Sequence, residues 1–310
     1  MKQLYLLFIL ELALCTYTQT LYQPAAGKVK LMKTKKLTLH LYNHKNHLLQ
    51  KENIARKSVR HHYTPALPPV KTRRTFGGHL VDIKQKPFVA FLLTQFFGPW
   101  HLIGGAAIVG SYWAITAAHC IKDITDANIK KGLVSVCGNT SNWKRGCNKH
   151  EIIQKYIHEK YNKNNGVDYD IALVKVKQPF DGKYEKPIKL ARSNNKYPRI
   201  VHAAVFGWGF RDQVERNVSN ILGYITVNLM NHNTCKKKYP NRNYTVTSRM
   251  ICAIDKEKDA CFIDSGGPVV QNNVLIGIVS RQPYGCADYS PTVYTKVPEF
   301  NGWLQKKMEK

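Results

Sequence analysis

Phe88-Val-Ala-Phe-Leu-Leu93 is apolar from end to end, and it is the first of several such runs. Ala106-Ala-Ile-Val109, Ile171-Ala-Leu-Val174, Val274-Leu-Ile-Gly-Ile-Val279 and Thr292-Val-Tyr294 follow it along the chain. Each is short and bounded by polar residues or by Gly and Pro. That pattern points to an all-β domain, either a sandwich or a barrel. One segment reads differently: Glu299 to Glu309 places Phe300, Trp303, Leu304 and Met308 on one side of a helix. No internal repeat and no glycine-rich nucleotide-binding motif is found.

The surrounding composition fits a globular chain. At 310 residues it has room for about one or two domains. A hydrophobic share of 44% with 22% charged residues excludes a chain that is disordered or fibrous throughout. No apolar run beyond the N-terminus reaches the roughly 20 residues a bilayer requires. The eight cysteines suit an exported domain carrying a few staples. The net charge of +27 is the outlying quantity, and it predicts long-range attraction to anionic partners.

That charge is unevenly placed. Residues 1–19 read as a signal peptide, with Lys2 ahead of the apolar block Leu4 to Cys15, which Glu11 interrupts. Residues 20–74 hold thirteen bases against the single acid Glu52, a balance of +12 that leaves +15 for residues 75–310. So much like charge with so little apolar material predicts a mostly disordered propeptide. Its histidines lack the carboxylate or thiol company of a metal site. Sequons at Asn139, Asn217 and Asn243 agree with export.

Three patterns stand in a fixed order in the remaining 236 residues: Ile115-Thr-Ala-Ala-His-Cys120, Asp170-Ile-Ala-Leu173 and Asp264-Ser-Gly-Gly-Pro268. A serine hydroxyl is a poor nucleophile at neutral pH and needs a neighbouring base. A histidine has a suitable pKa, and a carboxylate holds its tautomer and steadies the imidazolium. In their residues and order these motifs resemble the trypsin and chymotrypsin-like serine proteases. Gly104-Gly105, Gly207-Trp-Gly209, Pro291 and Val293-Tyr294 extend the resemblance over essentially all of 75–310.

The resemblance implies two packed six-stranded antiparallel β-barrels, a C-terminal α-helix and a cleft between the barrels. It assigns Ser265 as nucleophile, His119 as base and Asp170 as the supporting acid. Asp168 is a rival, but the apolar run follows Asp170 directly. It also implies disulfides Cys235–Cys252 and Cys261–Cys286. Cys137 and Cys147 have no family counterpart and are expected to pair with each other. Ile103 stands where the usual partner of Cys120 would be, which leaves Cys120 as an odd thiol, either buried and inert or engaged with another chain.

Further expectations follow from the resemblance. Cleavage after Arg74 by a trypsin-like activator would free Thr75 to pair with Asp264. Asp259 would floor the specificity pocket and favour Arg or Lys before the cut, with Ser280, Gln282 and Thr292 on its walls. Trypsin-like members carry glycine where Gln282 and Thr292 stand, and Arg281 replaces an aromatic. Ile263 occupies the glycine position whose N–H, with that of Ser265, forms the oxyanion hole, so a β-branched residue sits where glycine's freedom is used.

Two functional readings therefore stand side by side. One is a secreted, monomeric serine endopeptidase made as a zymogen and acting on protein or peptide substrates. The other is a catalytically impaired homologue that acts by binding. Polyanion binding, with Lys236-Lys-Lys238 and Lys306-Lys307 as candidates, is a secondary property of either. No cofactor or metal is expected, since the loop from Cys137 to Glu151 offers a single carboxylate where some relatives bind calcium.

Overall fold

The computed structural model describes residues 78–96, 98–161, 168–192, 202–209, 219–239, 245–255, 265–281 and 291–309. All lie within one compact unit, Arg73–Lys310. In chain order the strands are β1 (His79–Leu80), β2 (Val89–Thr94), β3 (His101–Gly110) and β4 (Trp113–Thr116). The short helices α1 (Ala118–Ile121) and α2 (Asp126–Lys130) precede β5 (Val134–Gly138), β6 (Asn148–Ile157) and β7 (Ala172–Val176). Next come β8 (Lys189–Leu190), β9 (His202–Gly207), β10 (Gly223–Met230) and helix α3 (His232–Lys238). The chain ends with β11 (Met250–Asp255), β12 (Pro268–Gln271), β13 (Val274–Arg281), β14 (Thr292–Lys296) and helix α4 (Asn301–Met308).

Strands β2-β3-β4-β7-β6-β5 close into one antiparallel barrel. The second barrel closes through the antiparallel circuit β9-β10-β11-β14-β13-β12-β9. Two short strands extend it: β1 lies antiparallel to β10, and β8 lies parallel to β13. These two additions have no counterpart in the sequence reading, because two-residue strands carry no period. The expected terminal helix forms as α4, preceded by a 3-10 turn over Val297–Phe300 that buries Val297, Pro298 and Phe300.

The runs are apolar throughout, rather than alternating, because both faces of these strands are buried. In β2, Ala90 and Leu92 fill the first barrel, while Val89, Phe91 and Leu93 join a layer shared with the second barrel. Strand β7 divides likewise: Ala172, Val174 and Val176 point inward, and Leu173 points to the shared layer. Phe206, Trp208, Leu275 and Ile278 meet them from the second barrel. Phe91 and Trp208 pack edge to face with ring centroids 4.7 Å apart, a contact that contributes about 1 kcal/mol beyond its buried area. Residues around Val205, Ile251, Val269, Ile276 and Tyr294 form the interior of the second barrel.

Two disulfides brace this frame. Cys137–Cys147 ties β5 to the start of β6, so it staples the ends of a hairpin rather than two points within a loop. Cys235–Cys252 anchors α3 to β11. Cys261 and Cys286 lie outside the described residues. Among the described residues no helix is long and apolar enough to cross a membrane.

Candidate active site

The end of β4 sets the imidazole in place. Thr116 donates its hydroxyl to the Gly105 carbonyl at 2.8 Å, and the chain turns into α1 two residues later, with His119 in its only turn. His119 Nδ1 lies 2.7 Å from Asp170 Oδ2, and the His119 backbone N–H donates to Asp170 Oδ1 at 2.9 Å. An Nδ1–H held by a carboxylate leaves Nε2 free to accept a proton. The Asp170 side chain is 2% exposed and that of His119 29%, so the acid is sealed in while the base reaches solvent.

Asp170 is held from the second barrel as well. Ser280 donates its hydroxyl to Asp170 Oδ2 at 2.6 Å, and Thr295 donates to the Asp170 backbone carbonyl at 2.7 Å. Ser280 was expected on the wall of the specificity pocket. It is buried and its hydroxyl bonds the acid, while Asp259 and Gln282, the expected floor and wall of that pocket, lie outside the described residues. The rival carboxylate is engaged elsewhere: Arg249 grips Asp168 through Nε at 3.0 Å and Nη2 at 2.5 Å, and Thr247 adds a third bond at 3.1 Å.

The Ser265 turn rests on the first barrel. Its backbone carbonyl accepts from the Gly105 N–H at 2.8 Å, while the Gly266 N–H donates to the Val279 carbonyl at 2.8 Å. The fit leaves no room for side chains. A Cβ on Gly105 would lie 2.7 Å from the Gly267 Cα, and Gly266 takes a φ of 83° that suits glycine. A Cβ on Gly104 would lie 2.8 Å from the Ser265 carbonyl oxygen and 2.9 Å from Cys120 Sγ. The serine-bearing turn and Cys120 therefore flank one point, and Cys120 Sγ is 3.6 Å from His119 Nε2. Cys120 Sγ is thus the group in contact with Nε2, and among the described residues no hydrogen bond joins the Ser265 hydroxyl to His119.

Cys120 is half-buried, outside any disulfide and in contact with His119. Burial alone would push the pKa of His119 down. The Asp170 hydrogen bond and charge, together with the Cys120 contact, outweigh it and leave the imidazole raised above its ordinary 6.5. Burial pushes the nearby Tyr161 phenol up to about 12, with the Asp170 charge acting the same way and Arg281 opposing it.

Of the other expected positions, Thr292 opens β14, half-buried and paired with Ala253. Asn139 has a left-handed backbone, φ 63°, and its amide oxygen accepts from the Tyr184 N–H at 2.8 Å. Arg74, Thr75, Asp259, Ile263, Asp264, Gln282, Asn217 and Asn243 lie outside the described residues. Sequence reasoning missed the parts played by Ser280, Thr295 and Arg249, since each acts across more than 80 residues of chain. Among the described residues no group of three or more His, Cys, Asp and Glu side chains could hold a metal ion.

Comparison with known proteins agrees with this geometry. The trypsin family model matches residues 75–304. The chain belongs to the trypsin family. It is 31% identical to a trypsin of Phaedon cochleariae over 79% of this chain and 93% of that protein. It is 33% identical to kallikrein-8 of Rattus norvegicus over 76% of this chain and 89% of the relative. Among solved structures, neuropsin, a serine protease of mouse brain, superposes with a TM-score of 0.63 at 30% identity, covering 74% of this chain and 98% of that one. The two-barrel architecture is thus that of a trypsin-family serine endopeptidase.

Proposed function

We propose that this trypsin-family member is a secreted serine endopeptidase that hydrolyses peptide bonds through Ser265, His119 and Asp170. In this reading the Ser265 hydroxyl attacks the scissile carbonyl as its proton passes to His119 Nε2, and the C–O bond forms. The imidazolium then gives that proton to the leaving amine as the C–N bond breaks, and water repeats the sequence to free the acid product. Asp170 stays ionised, stabilising the imidazolium and fixing its tautomer. The backbone N–H groups of Ser265 and Ile263 are the donors assigned to the developing oxyanion.

The observation that supports the proposal is the 2.7 Å contact between His119 Nδ1 and the buried Asp170 Oδ2; the approach of Ser265 to Nε2 is part of the proposal. Activation by cleavage after Arg74, with Thr75 pairing to Asp264, belongs to the same proposal. So does a preference for Arg or Lys set by Asp259 and narrowed by Gln282 and Thr292. Residues 1–19 are proposed as the signal peptide and 20–74 as the propeptide.

The test is a fluorophosphonate probe applied to Arg74-cleaved protein and to the Ser265→Ala variant. Label on the first and none on the second is the expected result. An intact, folded protein that takes no label would overturn the enzyme reading and leave the binding homologue. N-terminal sequencing of secreted material should begin at Thr75.

A further inference from the structure

The charge of the barrel unit is not spread evenly over the surface described. On the first barrel, Lys130 and Lys131 leave the end of α2 and face Lys149 of β6 across an open cleft floored by Gly132 and Ser135. None of the three lysines has a carboxylate within ion-pair distance among the described residues. Lys149 is steadied by the Trp100 ring, with its ammonium 4.3 Å from the ring centroid. The acid in the cleft, Glu151, is already paired with Lys177 at 3.5 Å. The cleft therefore holds uncompensated positive charge.

A second group of cations lies farther along the same surface segment. From Gln178, which lines the cleft, the chain runs through Asp181 to Tyr184, whose ring carries Lys183 and Lys84 at 5.4 and 5.7 Å. Lys84 shares its charge with Asp82, 3.9 Å away, so this group is the weaker of the two. Two lysine groups on one chain segment, separated by buried Phe180 and the exposed Asp181, suit the spaced anionic groups of a linear polyanion better than a compact ion.

The chemistry narrows the occupant. The chain's own N-terminal segment is excluded, since residues 20–74 carry +12 and would be repelled. The donors are lysines, compact point charges without the planar fork of arginine, which favours charge density over a fixed bidentate partner. The two aromatic rings, Trp100 and Tyr184, are already engaged by ammonium groups, which makes them poor stacking platforms for a nucleic acid base. We propose that the cleft of Lys130, Lys131 and Lys149 is an anion-binding site for a sulfated polysaccharide, which extends toward Lys183 and Lys84. The proposal goes beyond the protease reading and does not depend on it.

The test is lysine acetylation footprinting of the full chain, read by mass spectrometry, with and without heparin as the probe. Footprinting reports each lysine separately, so binding to residues 20–74 does not obscure the result. Heparin should protect Lys130, Lys131 and Lys149 severalfold, and added salt should abolish the protection. In heparin titrations, K130Q/K131Q/K149Q should flatten the plot of log affinity against log salt by about two to three units relative to wild type. The α3 variant K236Q/K237Q/K238Q removes the same charge and should change it less. Equal protection of Lys236 to Lys238, or an equal effect of the two variants, would overturn the proposal in favour of diffuse charge. Equal protection of the cleft by duplex DNA would overturn the assignment to a sulfated glycan.

Discussion

Replacing Glu185 by Gln tests a buried charge pair that catalysis does not use. Glu185 Oε1 lies 3.0 Å from His150 Nε2, and the two side chains are 0% and 5% exposed. Its other oxygen accepts from the Gly182 N–H at 2.8 Å, while His150 Nδ1 faces the Gln178 carbonyl at 3.2 Å. The amide has the same shape, so the close fit against Gly138 and Gly182 is unchanged. What changes is charge, and one of two acceptors becomes a donor. While His150 is protonated, the single amide oxygen can accept from His150 Nε2–H or from the Gly182 N–H but not from both. Weakening one charged bond and losing the other should cost about 2 kcal/mol or somewhat more.

The cost should depend on pH in a defined direction. Burial lowers the pKa of His150, but the Glu185 hydrogen bond and charge, with smaller help from the Gln178 carbonyl and Asp181, leave it raised above 6.5. A raised native value means the pair's contribution is complete below the unfolded value of 6.5 and is lost as pH climbs through the native one. Above that point a neutral imidazole can accept from the new amide N–H, so the variant is again satisfied. Thermal unfolding of the Ser265→Ala protein, chosen to prevent self-digestion, is the assay. Since 1 kcal/mol shifts Tm by about 2–4 °C in a domain of this size, Glu185→Gln should lower Tm by roughly 4–8 °C at acid pH and by much less well above neutrality. An equal loss at both pH values, or a larger one in alkali, would refute the reasoning.

Three other substitutions probe the site. Ser280→Ala removes one hydrogen bond to the Asp170 carboxylate and should lower kcat/KM about 10- to 100-fold through kcat, with KM little changed; a loss confined to KM would count against a positioning role. Cys120→Ala takes away one of the groups that raise the His119 pKa, so the acid limb of the kcat/KM profile should move to lower pH, and a shift upward would contradict the assignment. Arg249→Ala strands the buried Asp168 carboxylate and should cost about 3 kcal/mol in chemical unfolding, with Asp168→Asn in that background recovering part of the loss.

The architecture was legible because its physical causes are local or repeated. Apolar runs without alternation record strands covered on both sides, as Phe91 and Leu92 show by facing different cores. The segments around His119 and Ser265 stood out through a family resemblance, and the close approach of Gly105 to Gly266 and Gly267 gives those glycines a steric reason to be there. Ser280 was legible as part of the site, but its bond to Asp170 was not, since nothing in Val279-Ser-Arg281 points to an acid 110 residues away. The two-residue strands β1 and β8 were not legible at all. They exist only because an edge of the second barrel is there to receive them.

The two aspartates mark the limit most clearly. In an extended strand, residues two apart face the same way, so spacing alone would give Asp168 and Asp170 one environment. The backbone separates them: Tyr169 takes a φ of 57°, and the Ile171 N–H donates to the Tyr169 carbonyl at 2.8 Å, closing a tight turn. Asp168 is thereby sent to Arg249, whose guanidinium lies 4.3 Å over the Tyr169 ring, and Asp170 to His119. The first carboxylate fixes the turn that aims the second. Loosening the Arg249 clasp should therefore disturb the imidazole without touching it, so Arg249→Ala is expected to move the acid limb of the pH profile as well as the unfolding midpoint. A variant that lost stability while its pH profile stayed fixed would show that the turn holds Asp170 unaided.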